Sequence, residues 1–435
     1  MSADAAAGPR RKRWTTAFFQ GLQKMGRSLQ LPIAVLPAAG ILNRLGQPDI
    51  FGDEGLGWTD VAKVFLGAGS ALLDSALGLP LLFCVGVAIG MAKKADGSTA
   101  LAAVAGFLVY YNILQQFPTC PAGSTFDSAM GACLGKGGKA LGAATYQNPG
   151  VFGGIVVGLL TAWFWQRFHR VRLVDWLGFF NGRRLVPIIM AFVALVFAVL
   201  CQWVWPPIGD GLTSFSEWMT DLGAWGAGIF GVANRALIPI GMHQFLNTFM
   251  WFQFGSFTKP DGEIVHGDIN RFLAGDPTAG QFTSGFFPIM MFALPAAALA
   301  ITHAARPERR KVVGGLMLST ALTSFVTGVT EPIEFSFLFV APALYVLHVL
   351  LTGVSMALTW ALGVHDGFSF SAGLIDYVIN WSLARRPWLI IPIGLGFAAV
   401  YYALFRFLIS RFDLKTPGRE PEEVAEEIEQ DNTRA

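Results

Sequence analysis

Two glutamates, Glu331 and Glu334, lie three residues apart inside a long apolar stretch that covers residues 312–351. A carboxylate facing lipid costs about 2.5–3.5 kcal/mol on an insertion scale, so carboxylates in such a stretch are typical of a binding pathway. Pro332 disfavours the helical conformation for the residue before it, so Glu331 is expected to be extended. Irregular backbone at membrane depth is tolerated where it lines a cavity. The pattern therefore predicts a cavity whose carboxylates accept hydrogen bonds from ligand hydroxyl groups.

A second polar group lies earlier in the chain, again among apolar residues. Its members are Asn234, Arg235, His243, Gln244 and Asn247. His243 and Asn247 are four residues apart and share one face of a helix, and a neutral histidine can exchange a hydrogen bond with a hydroxyl group. Arg235 requires an acidic or phosphate partner. Two interpretations stay open: a ligand-binding group, and a structural one in which Arg235 pairs with Glu331 or Glu334 or extends to the membrane interface.

Membrane spans are the elements that must position these residues. The chain is 53% hydrophobic and 14% charged, with a mean hydropathy of +0.51, whereas soluble domains contain about 25% charged residues. This composition excludes a soluble enzyme and predicts an integral membrane protein. Five spans are expected before residue 206, at residues 29–45, 62–91, 98–116, 148–168 and 184–205. The second of them is too long for one crossing, and a break is expected near Gly78 and Pro80.

Clusters of positive residues orient the spans, because loops rich in Lys and Arg stay on the cytoplasmic side. The clusters lie at residues 10–27, 93–94, 167–184, 306–311 and 385–386. Residues 47–60 and 117–147 alternate with the first three clusters and are expected outside, so both termini are expected in the cytoplasm. Cys120 and Cys133 share the second outer segment, where a disulfide and two free thiols are both open interpretations.

The character of the chain changes after Pro206-Pro207. The apolar segments become shorter, are interrupted by Gly and Pro and contain polar residues, which is typical of the binding half of a transporter. His365-Asp366-Gly367 lies between two such segments and is a further candidate for lining the cavity. The expected organisation is a cytoplasmic amino terminus (1–28), a scaffold half (29–206), a transport half (207–412) and an acidic cytoplasmic tail (413–435).

Four motifs match a known family. They are GVTEPIEF at residues 328–335, NRALIPIGMHQFLN at 234–247, FFNGRRLVPI at 179–188 and SAGLIDY at 371–377. Over residues 18–412 the chain closely resembles the membrane-embedded enzyme IIC of the bacterial phosphoenolpyruvate-dependent sugar phosphotransferase system, in its glucose/N-acetylglucosamine superfamily. Residues 266–295 and Gln244 resemble the N-acetylglucosamine branch of that superfamily.

The resemblance implies an all-α membrane protein of the bacterial cytoplasmic membrane, with about ten transmembrane helices and re-entrant hairpins. It also implies a homodimer formed through the amino-terminal half and an elevator-type movement of the transport half. Glu331 and His243 would bind the sugar near its 6-hydroxyl, and Arg235 would hold the sugar or meet the incoming phosphate. Arg183 would face the phosphoryl donor, with Arg184 as a second candidate. The remaining candidates for binding the sugar are Asn234, Gln244, Asn247 and Glu334.

One departure from the family concerns the phosphoryl carrier. Family members often contain a IIB domain with a phosphocysteine in a Cys-x-Thr-Arg context, and none of the four cysteines here is followed by such residues. The hypothesis is therefore a subunit that takes up N-acetylglucosamine and presents it to a separate phosphorylated IIB protein. Alternatives are a glucose- or maltose-specific IIC, an ion-coupled secondary sugar transporter and a sugar sensor. Lipid is an expected partner, whereas no metal, cofactor or nucleic acid is expected.

Overall fold

The computed structural model is mostly helical. It describes residues 24–25, 28–29, 32, 34–73, 77–119, 125–127, 132–134, 140–143, 145–259, 264–369 and 371–419. The α-helices in these ranges are α1 (Leu36–Leu45), α2 (Thr59–Leu73), α3 (Gly78–Met91), α4 (Gly97–Leu114), α5 (Gly150–Phe168), α6 (Leu185–Asp221), α7 (Ala224–Ala236), α8 (His243–Phe252), α9 (Asp268–Leu273), α10 (Leu294–Ala304), α11 (Arg310–Thr327), α12 (Glu331–Leu338), α13 (Pro342–Ala361), α14 (Leu374–Ile379) and α15 (Ile390–Arg411).

Five helical segments of the described chain are long and apolar enough to cross a membrane. They are Gly97–Leu114, Gly150–Phe168, Gly182–Asp221, Pro342–Ala361 and Pro387–Arg411. Helices α2 and α3 are bent by 47° at the break expected near Gly78, and they make a sixth span if the pair is one crossing. These segments fit the membrane protein that the composition predicts, whereas the expected count of about ten spans stays a prediction.

Helix α6 differs from its predicted extent. The span expected to end at residue 205 continues through Pro206 and Pro207 to Asp221. Proline removes a backbone donor from a helix interior, but the helix can continue where other groups satisfy the freed carbonyls. A proline pair is therefore a weaker stop signal here than the sequence suggested.

Short strands make the all-α expectation incomplete. They are β1 (Pro118–Thr119), β2 (Thr125–Asp127), β3 (Ala132–Leu134), β4 (Ala140–Ala143), β5 (Thr145–Tyr146), β6 (Ser256–Thr258) and β7 (Ile264–His266). Strand β1 pairs with β5, β3 lies between β2 and β4, and β6 pairs with β7, all antiparallel. The segment predicted at residues 117–147 thus contains two small sheets. Cys133 lies in β3, and Cys120 lies outside the described residues.

The chain forms two compact units. The first comprises Met1–Trp218 and Ile240–Asn270, and the second comprises Met219–Pro239 and Arg271–Ala435. The core of the first unit lies among α3, α4, α5 and α6, around the buried side chains of Phe107, Tyr110 and Trp165. The core of the second unit lies among α10, α12, α13 and α15 and includes Ile301, Phe337, Leu344, Tyr401 and Phe405.

Glycine allows two helices of the first unit to approach closely. A Cβ atom at Gly154 of α5 would lie less than 3.0 Å from the backbone oxygen of Pro80 in α3. Small residues at such contacts are typical of helix pairs in membranes, where packing stabilises the pair. Gly154 therefore fixes the distance between α3 and α5.

Gly154→Val is expected to destabilise the protein by about 1–3 kcal/mol, because backbone rather than a flexible side chain must move. The measurement is the midpoint of thermal unfolding, followed by tryptophan fluorescence. Gly396→Val is the matched control in another span, since Gly396 is exposed and a Cβ there meets nothing within 4 Å. Equal losses in the two variants would contradict the proposed contact.

Candidate functional site

Arg235 and Glu334 form a buried ion pair in the second unit. The guanidinium Nη1 of Arg235, at the end of α7, lies 2.7 Å from Oε1 of Glu334 in α12, and the two side chains are 4% and 0% exposed. The same Nη1 donates a hydrogen bond to the Thr330 hydroxyl at 3.1 Å. The guanidinium carbon lies 5.0 Å from the ring centroid of Phe286. The structural interpretation of the sequence, in which Arg235 pairs with a glutamate, thus holds for Glu334.

A histidine and a tyrosine extend this network. His348 Nε2 in α13 lies 3.1 Å from Oε1 of Glu334, and its Nδ1 lies 2.9 Å from the hydroxyl of Tyr401. This geometry fits the tautomer in which Nε2 donates to the carboxylate and Nδ1 accepts from the tyrosine. The Tyr345 hydroxyl donates to the backbone oxygen of Arg235 at 2.6 Å. Oε1 of Glu334 is therefore contacted by two buried groups, the Arg235 guanidinium and the His348 imidazole.

His348 lies in none of the four motifs, but its spacing from other polar residues is a usable signal. His348, Thr352, Ser355 and Thr359 follow each other at intervals of four, three and four residues along α13, and all are buried. This spacing places them on one face of an otherwise apolar helix. A stripe that contains an ionisable residue such as His348 indicates the face packed against protein, because ionisable residues in membrane helices rarely face lipid.

Glu331 occupies a different environment from Glu334. It is the first residue of α12 and is partly exposed. The extended conformation predicted from Pro332 is therefore wrong, because a proline in the first turn of a helix replaces an N–H group that has no partner there in any case. Gly328, whose φ is +71°, ends α11 and allows the sharp turn into α12. Glu331 is thus partly exposed, whereas Glu334 is fully buried inside the unit.

Three candidates for sugar binding lie on α8 of the first unit. His243, Gln244 and Asn247 are all buried, and Asn247 Nδ2 donates to Gln244 Oε1 at 3.4 Å. Gly241, with a φ of +71°, precedes α8 and produces the break that the sequence predicted in this stretch. Asn234 belongs to the second unit, where it is buried next to Arg235 in α7.

The basic candidates lie in a short 3₁₀ turn, Gly182–Arg184, of the first unit. Arg183 Nη1 lies 2.6 Å from Oδ2 of Asp96, and the Arg183 side chain is 67% exposed. Asp96 also caps α4 by accepting a hydrogen bond from the backbone of Ser98. Arg184 packs over the ring of Phe179 at 4.6 Å and donates to its backbone oxygen. Arg183 is thus anchored at one oxygen while most of its surface faces solvent.

The comparison with known families decides the classification. Residues 26–353 match the family model described as phosphotransferase system, EIIC. The chain belongs to the EIIC family. The family predicted from the four motifs is therefore confirmed, and the protein is a membrane-embedded EIIC component.

Two curated EIIC relatives align with nearly the whole chain. The N-acetylglucosamine-specific EIIC component of Streptomyces coelicolor is 66% identical over 98% of this chain and 99% of its own length. The N-acetylglucosamine-specific EIICB component of Bacillus subtilis is 44% identical over 94% of this chain and 81% of its own length. These relatives support the resemblance to the N-acetylglucosamine branch.

One solved structure shares the EIIC fold. It is the crystal structure of the transporter ChbC, the IIC component from the N,N'-diacetylchitobiose-specific phosphotransferase system. The TM-score is 0.56 at 15% identity, over 90% of this chain and 93% of that one. At this identity the similarity supports the fold alone.

Proposed function

We propose that this EIIC protein takes up N-acetylglucosamine and presents the 6-hydroxyl of the sugar to a separate phosphorylated IIB protein. The observation that carries the sugar assignment is the 66% identity, over almost the full length of both chains, to an N-acetylglucosamine-specific EIIC component. The B. subtilis relative is named as a combined EIICB component and extends beyond the aligned region, which supports a IIB partner for this chain.

The accessible carboxylate of Glu331 suits the chemical step. The sugar hydroxyl oxygen attacks phosphorus, the bond from phosphorus to the cysteine sulfur of IIB breaks, and the hydroxyl proton passes to Glu331. Such a transfer depends on positioning and electrostatic stabilisation more than on covalent chemistry. Glu331 therefore orients the hydroxyl and receives its proton, and the exposed Arg183 guanidinium stabilises the phosphoryl group.

The other candidate residues fall into two groups, those that bind the sugar and those that position Glu331. His243, Gln244, Asn247 and Asn234 bind hydroxyl and acetamido groups of the sugar. Arg235 and Glu334 are positioning residues, because their ion pair and the hydrogen bond to Thr330 fix the turn that carries Glu331.

The proposed architecture has about ten transmembrane helices with re-entrant hairpins in the bacterial cytoplasmic membrane. Both termini lie in the cytoplasm, which follows from the positive clusters. The amino-terminal half forms a homodimer and serves as a scaffold, and the carboxy-terminal half carries the sugar by an elevator movement. Cross-linking of single cysteines across the dimer, and labelling of the termini from either side, test these features.

Uptake into right-side-out vesicles tests the proposed function. Labelled N-acetylglucosamine is supplied outside, with and without phosphorylated IIB protein inside. We expect the 6-phosphate to accumulate only with the donor. Free sugar accumulating on an ion gradient would replace the proposal with a secondary transporter, and phosphorylation of glucose but not N-acetylglucosamine would overturn the sugar assignment.

His243→Ala is expected to weaken binding of N-acetylglucosamine by about 2- to 13-fold, because one hydrogen bond to a neutral group contributes roughly 0.5–1.5 kcal/mol. Equilibrium binding of labelled sugar to the purified protein measures this change. His266→Ala, which removes an exposed histidine of the same unit, is the control and should bind normally. Unchanged binding by His243→Ala would remove this residue from the site.

A further inference from the structure

Asp366 is a fully buried carboxyl group that no hydrogen bond accounts for. It lies between α13 and α14, outside the candidate spans, and neither of its carboxylate oxygens has a hydrogen-bond partner among the described residues. Two further polar groups, from later in the chain, share this condition. The Ser369 hydroxyl and the Asn380 Oδ1 atom are buried and also lack partners in the described part of the chain.

Asp376 contacts two of these residues, Ser369 and Asn380. Its Oδ1 accepts a hydrogen bond from the backbone of Ser369 at 2.6 Å, and Asn380 Nδ2 lies 3.5 Å from the same oxygen. The same Nδ2 donates to the backbone oxygen of Gly367, the residue after Asp366, at 3.2 Å. The amide of Asn380 therefore links Asp376 to the Asp366–Gly367 backbone. We call the four residues Asp366, Ser369, Asp376 and Asn380 the Asp366–Asp376 pocket.

The Asp366–Asp376 pocket is rich in acceptors and poor in donors. Burial and the nearby Asp376 carboxylate raise the pKa of Asp366 well above its usual value. The surrounding titratable groups are engaged elsewhere. Tyr377 donates to the Pro387 backbone oxygen at 3.2 Å, His365 Nε2 lies 2.8 Å from Nε2 of Gln281, and Arg385 is exposed. Buried acceptors require a donor or a positive charge.

We propose that the Asp366–Asp376 pocket binds a single positive charge, supplied either as a proton or as a monovalent metal cation such as Na⁺. The carboxylates, the Ser369 hydroxyl and the Asn380 carbonyl oxygen offer the hard oxygen ligands that either occupant uses. Irregular backbone between helices is a common location for such sites in transporters.

The pocket is connected to the turn that carries Glu331. Asp376 Oδ2 accepts from the backbone of Ser371 at 3.3 Å, and the Ser371 hydroxyl donates to the backbone oxygen of Gly328 at 2.9 Å. Gly328 opens the turn into α12. Loss of the positive charge leaves two buried carboxylates repelling each other, which disturbs Asp376, then Ser371, and then the position of Glu331.

Thermal unfolding of the purified protein at pH 5 to 9, in sodium, potassium or choline chloride, tests this proposal without depending on the sugar. A raised carboxyl pKa adds stability that is complete below the ordinary value of about 3.9 and is lost as pH rises toward the folded-state value. In choline chloride we expect the wild-type midpoint to fall with rising pH by about 4 °C or more relative to Asp366→Asn. Asp413→Asn, at an exposed carboxylate, is the control and should follow wild type.

The salt arms separate the two occupants. If the charge is a metal cation, sodium or potassium raises the wild-type midpoint at high pH and has no such effect on Asp366→Asn. If the charge is a proton, the midpoint of wild type depends on pH in the same way in all three salts. Parallel curves for wild type and Asp366→Asn in every salt overturn the proposal. Asp366→Ser is the second variant should the asparagine variant not fold, and a wild-type midpoint insensitive to both pH and cation overturns the proposal without any variant.

Discussion

Glu331→Gln is expected to abolish phosphorylation of the sugar while the protein stays folded. Glutamine keeps the shape and the acceptor oxygen of glutamate but cannot receive the hydroxyl proton. A positioned general base contributes about 10²- to 10⁴-fold to rate, so the initial rate of 6-phosphate formation should fall by at least about 100-fold. Glu331 is partly exposed, unlike Glu334, and glutamine has the same shape as glutamate, so the variant should keep the fold.

The rate is measured with purified phosphorylated IIB protein and saturating sugar, and the thermal midpoint is measured on the same preparation. Glu308→Gln, at an exposed carboxylate of the second unit, is the matched control and should keep the wild-type rate. Binding of sugar by Glu331→Gln, measured without the donor, separates loss of chemistry from loss of binding. A wild-type phosphorylation rate in Glu331→Gln would remove Glu331 from the chemical step.

The sequence singled out both glutamates as candidates but did not predict that they lie in different environments. Composition and motif place Glu331 and Glu334 in a polar site, and they name Arg235 as a possible partner for either. Which glutamate pairs with Arg235 depends on how α12, the helix that both share, contacts α7 and α13. These are tertiary contacts, which the sequence does not show. The extended conformation predicted for Glu331 failed for a related reason. The residue before a proline prefers an extended conformation only locally, and here α12 begins at Glu331 with Pro332 in its first turn, which overrides that preference.

Long-range contacts also explain the residues that sequence reasoning missed. His348 lies in α13 and Tyr401 in α15, and neither neighbours a motif, so the contact of His348 with Glu334 and that of Tyr401 with His348 follow only from the packing of these helices. Asp366 was a candidate for lining a cavity, but the sequence did not show that its carboxylate is enclosed. The membrane class was predictable because it rests on composition, which needs no knowledge of contacts.

The buried ion pair yields the second large effect. Arg235→Met alone is expected to cost about 3–5 kcal/mol of unfolding free energy, because it leaves the Glu334 charge buried without its cation. Glu334→Met alone should cost a similar amount by stranding Arg235. The double variant should regain most of this stability, because two apolar side chains of similar volume often replace a buried pair at little cost. Thermal unfolding of all four proteins gives the coupling between the two positions.

Phosphorylation should not recover with stability. Arg235 also donates to Thr330, the residue before Glu331, and His348 needs Glu334 as its partner, so the double variant still leaves the turn unsupported. Lys415→Met, which breaks an exposed ion pair of the same unit, is the control and should leave both midpoint and rate unchanged. A double variant that regains full phosphorylation would show that the pair serves stability alone. A double variant no more stable than the single variants would show that the buried charges do not depend on each other, since only coupled charges make the second substitution compensate for the first.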